Sequence, residues 1–84
     1  MTQENKMNQT EKIALIRNHA NNSIKHCERS IREYMKDIDS ISEKIQLGAF
    51  DFIETLESKT SKIVELKQEI KEHKVILHTL HLIN

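Results

Sequence analysis

Eighty-four residues leave room for one small domain, and a single core in so short a chain supplies only ~3–5 kcal/mol. Thirteen Lys and Arg balance thirteen Asp and Glu, without the basic excess expected of a polyanion-binding protein, and a lone Cys excludes an internal disulfide framework. No Pro, one Gly and three aromatic residues suit long helices and suit sheets badly, because strands favour β-branched and aromatic residues punctuated by turns.

Residues 1–8 read as a flexible N-terminal tail, since MTQENKM is polar and lacks periodicity. It does not open a secretory signal, because no apolar stretch follows a basic start. No apolar run reaches the ~20 residues needed to cross a bilayer. With a single thiol, the expectation is a soluble, cytoplasmic protein.

From Ile13 onward apolar residues recur at alternating steps of four and three, the spacing of a helix with one buried stripe. In heptad terms, position a holds Arg17, Ile24, Ile31, Ile38 and Ile45, and position d holds Ile13, Ala20, Cys27, Tyr34 and Ile41. Asn8 is the candidate N-cap, with Glu11 three residues on, and a first helix is predicted over 9–47. Gly48, the one glycine, suits a left-handed C-cap. A turn is predicted over 48–51, with Asp51 and Glu54 as a second cap and box opening a helix over 52–82.

That second segment places Leu56, Ile63, Ile70 and Leu77 at a, and Phe52, Lys59, Leu66, His73 and Leu80 at d. Folding back at Gly48 matches every a with a d: Ile45 meets Phe52 next to the turn, Cys27 meets Ile70, Ala20 meets Leu77, and Arg17 meets Leu80 at the open end. The two numbers in each pair sum to 97. An uninterrupted helix pairing in parallel with a second chain would lose only about 1 kcal/mol at Gly48, but its heptad phase would break there. The fold class expected is all-α, an antiparallel two-helix hairpin resembling a coiled coil, with dimerisation into a four-helix bundle compensating for its small core.

Catalytic chemistry finds no foothold, because the sequence places no nucleophile beside a base, no paired carboxylates on the seam and no phosphate-cradling loop. His78 and His81 share a helical face at i, i+3, but His19 and His26 fall on the opposite flank, so neither a metal nor another cofactor is expected. Cys27 reads as a small core hydrophobe and Tyr34 as a wide core residue. Arg17, Lys59 and His73 are polar seam residues; the two cations either set register or snorkel past their neighbours.

The candidate protein-interaction residues are Leu15, Ile16, Val75, Ile76, Leu82 and Ile83, apolar side chains off the seam that folding gathers toward the open end. Met35, Ile53 and Val64 form a weaker second group. The expected function is a small non-enzymatic module that occupies a partner protein's surface as an adaptor or inhibitor, working as a homodimer. The alternative is a helical nucleic-acid-associated regulator using Lys62, Lys67, Lys71 and Lys74, against which the interleaved Glu65, Glu69 and Glu72 argue. A membrane partner is not expected.

Overall fold

The computed structural model describes residues 8–83; the predicted tail, apart from Asn8, lies outside them. Two long helices, α1 (Gln9–Gln46) and α2 (Ile53–Ile83), pack against each other, joined by a short turn of 3-10 helix at Phe50–Phe52. No strand occurs among the described residues.

The start of α1 follows from its cap. Asn8 adopts an extended backbone, and its Oδ1 accepts the Glu11 N–H at 2.8 Å, satisfying one of the amides a helix leaves unpaired in its first turn. At the far end Leu47 is the C-cap and Gly48 follows with φ +101°. Gly48 N–H bonds to Ile45 C=O at 2.9 Å and Ala49 N–H to Lys44 C=O at 2.9 Å. These two bonds are the Schellman pattern, which needs a left-handed residue where glycine has no Cβ to clash.

The second cap departs from expectation. Asp51 lies inside the 3-10 turn, whose cap is Ala49 with no side-chain hydrogen bond. The chain leaves the Schellman turn through an inverse γ-turn at Ala49, Phe50 N–H to Gly48 C=O at 3.0 Å, and the 3-10 turn starts at once with Phe52 N–H to Ala49 C=O at 3.3 Å, so helical geometry begins before Asp51 could act as a cap.

The heptad stripes become the seam. Ile13, Ala20, Cys27, Ile41, Leu66 and Leu80 are buried, and every other a and d residue named above is half-buried. Ala14, Ser23, Ser30 and Ser42, small residues beside the stripe of α1, are half-buried as well. Cross-helix contacts confirm the antiparallel direction: Asp37 with Lys59, Cys27 with Glu69, and Lys44 with Phe52 each sum to 96. In every case the g residue immediately preceding the expected a partner makes the contact.

The hairpin is a rod of 67 × 27 × 15 Å with a radius of gyration of 19.4 Å. A compact chain of this length would have a radius near ~12 Å. Its thickness is little more than one helix with side chains, about 10–12 Å, so no second layer covers either broad face.

Candidate interaction surfaces

Each polar seam residue resolves its burial differently. Lys59 extends its ammonium out of the seam to Asp37 Oδ2 at 3.1 Å and lies 5.3 Å from the centroid of the Tyr34 ring. The pair is partly solvated, so its contribution is at most about 1 kcal/mol. Arg17 is half-buried and forms no ion pair among the described residues. His73 meets His19 edge to face, ring centroids 6.1 Å apart, and its Nδ1 is buried with no hydrogen-bond partner. Sequence spacing placed His19 on that flank but did not reveal the pairing, which depends on side-chain rotamers.

Cys27 is 2% exposed and its thiol donates to Glu69 Oε2 at 3.3 Å. Burial, then the hydrogen bond to Glu69 and that carboxylate's negative charge, push the thiol above its ordinary pKa, so it stays protonated at neutral pH. A seam-only reading missed Glu69 because it is a g residue, flanking the stripe rather than lying on it. Among the described residues no group of three or more His, Cys, Asp or Glu gathers to hold a metal.

All six candidate interaction residues are exposed: Leu15 52%, Ile16 46%, Val75 59%, Ile76 38%, Leu82 71% and Ile83 61%. Their heptad positions divide them. Ile16, Ile76 and Ile83 are g residues sharing one flank at the open end. Leu15, Val75 and Leu82 are f residues, directed away from the seam on the two outer faces. Met35, Ile53 and Val64 are exposed toward the other flank.

Charge is sorted in the same way. Over the middle of the e and b flank lie Lys25 and Arg32 of α1 with Lys67, Lys71 and Lys74 of α2 and a single acid, Glu28, whereas Asp39 and Glu57 occupy the same flank toward the turn. Over the same stretch the g and c flank carries Glu33, Asp37, Glu65, Glu69 and Glu72, with Lys12 and Lys44 toward its two ends. Of the four lysines considered for nucleic acid, Lys62 stands apart on the acidic flank, paired with Glu65 at 3.3 Å. The other three border a shallow groove of ≈ 450 Å³ lined by Lys67, Ile70, Lys71, Lys74, Val75 and His78. No carboxylate lines it.

No helix among the described residues is long and apolar enough to cross a membrane. Comparison with protein-family models, with curated proteins and with solved structures finds no match to this chain.

Proposed function

We propose that the hairpin is a non-catalytic protein-interaction module, an adaptor or inhibitor that pairs with a second copy as a four-helix bundle and presents its remaining surface to a partner protein. The supporting observation is an imbalance of burial. Eleven large apolar side chains are exposed, against six buried hydrophobic residues of which two are Ala and Cys. A rod one helix thick cannot cover them itself, and a second hairpin supplies the missing layer in the ordinary way. Ile16, Ile76 and Ile83, which share the g flank, are assigned to the contact between copies, and Leu15, Val75 and Leu82, on the outer faces, to the partner protein.

Replacing Ile16 and Ile83 together by Glu tests the reading. Neither residue is on the seam, so circular dichroism should show unchanged helicity. An unpaired carboxylate stranded in an apolar contact is costly enough to abolish a modest interface. Light scattering should therefore show a wild-type dimer and a monomeric variant. A wild-type chain that is monomeric at high concentration, or a variant dimerising with undiminished affinity, refutes the bundle. The clustering of Lys67, Lys71 and Lys74 favours the second reading, a nucleic-acid-associated regulator. Its mark would be duplex binding that weakens steeply with salt.

A further inference from the structure

The groove on α2 has a chemistry that the open-end surface lacks. Its lining is mostly apolar: half-buried Ile70 lies on the seam side and exposed Val75 on the outer side, and the methylene stems of Lys67, Lys71 and Lys74 carry ammonium groups able to reach water. Those three lysines form no ion pair among the described residues, whose pairs are Lys59 with Asp37 and Lys62 with Glu65. The segment from Lys67 to His78 spans about three helical turns. A docked helix of that length could follow it continuously.

We propose that this groove receives an acidic amphipathic helix of a partner protein, its apolar stripe on Ile70 and Val75 and its carboxylates on Lys67, Lys71 and Lys74. The charge pattern selects this occupant. Carboxylates entering the groove meet three unpaired cations and no lining carboxylate, whereas a basic helix would meet repulsion along the whole rim. A phosphate backbone fits less well, because an apolar lining offers phosphates nothing and three lysines over about 10 Å follow only a few of them. A second copy could offer its own acidic flank, but basic flank on acidic flank is a heterologous contact that does not close by a two-fold axis.

The inference rests on the interaction-module reading and adds the chemistry of the partner, so its test is run on two proteins. Isotope-labelled full-length chain, wild-type and Ile16→Glu/Ile83→Glu, is titrated with a synthetic three-heptad helix carrying Leu at a and d and Glu at e and g. The same peptide with Lys replacing Glu, duplex DNA and phosphatidylserine vesicles serve as competing probes. Expected are amide shifts confined to the Lys67 to His78 stretch, in both proteins, with the acidic peptide alone. Lys67→Glu/Lys71→Glu should weaken binding about tenfold at unchanged helicity, the scale of two reversed, partly solvated ion pairs. Val75→Ser should weaken it without changing its salt dependence.

Equal binding of the acidic and basic peptides, or shifts elsewhere, overturns the groove. Tighter binding of DNA or vesicles replaces the helix with a polyanion or a lipid surface. Concentration-dependent shifts at Lys67, Ile70, Lys71 and Lys74 that persist in the unliganded Ile16→Glu/Ile83→Glu chain make the occupant a second copy and likewise refute the proposal. Binding in wild type but not in the double variant moves the site to the contact between hairpins. Binding in neither refutes the groove, while the bundle still stands or falls by light scattering.

Discussion

At the scale of single residues, Cys27 and Glu69 join a thiol and a carboxylate that sequence spacing did not associate. The folded state holds the thiol proton more tightly than the unfolded chain does. Its contribution to stability is therefore full below the unfolded thiol's pKa of about 8.5 and is lost as pH rises through the higher folded value. The melting temperature of wild type relative to Cys27→Ala should accordingly fall above about pH 8.5. A difference constant with pH would contradict the raised pKa. Glu69→Ala removes two of the three causes, the hydrogen bond and the charge, and leaves desolvation, so it should speed reaction of Cys27 with an aromatic disulfide reagent while keeping the rate below that of the unfolded chain. An equal rate in the two folded proteins would mean that Glu69 does not govern the thiol.

Among the elements, both helices and their direction were legible in sequence, because 3.6-residue periodicity reports which side chains share a face and a lone glycine after the first stripe marks where the face must reverse. The onset of α2 was not. Asp51 followed by Glu54 resembles a cap and box, but the Schellman turn directs the next residues straight into a 3-10 coil and leaves Asp51 no capping position. Heptad arithmetic also names layers without naming rotamers, which is why Glu69 and the pairing of His19 with His73 were missed. Antiparallel packing can be read out covalently. Ile70→Cys places a second thiol in the layer of Cys27, and mild oxidation should give an intrachain disulfide, seen as a faster-migrating monomer on a non-reducing gel. Disulfide-linked dimers of the wild-type chain, with no intrachain product from Ile70→Cys, would instead mark a parallel two-chain coil.

Across the whole molecule, a net charge of zero concealed more than it disclosed. Counted along the chain, Glu65, Glu69 and Glu72 interleave with Lys67, Lys71 and Lys74; wound on a helix, they part to opposite flanks. The candidate interaction residues show the converse. Leu15 and Ile16 adjoin in sequence, yet one helical step of about 100° sends them to different faces, so six apolar residues clustered by number do not form one patch in space. Exposure of all six was legible from their absence from the stripes. Which of them share a surface required the second helix, since the g flank is complete only when Ile76 and Ile83 lie beside Ile16.

The antiparallel seam also sets an order of assembly. Ile45 and Phe52 are seven residues apart and Arg17 and Leu80 are sixty-three, so closing the outermost layer first would cost about 2 kcal/mol more chain entropy than closing the innermost. Folding therefore zips outward from Gly48, with each layer shortening the loop the next must close. Opening runs in reverse, and amide hydrogen exchange should be faster near Ile13 and Leu80 than near Tyr34 and Ile63; a uniform profile would indicate all-or-none opening instead. Ile16, Ile76 and Ile83 lie at the end that unzips first. Whatever binds them acts as a clasp, lowering the rate at which the whole hairpin comes apart.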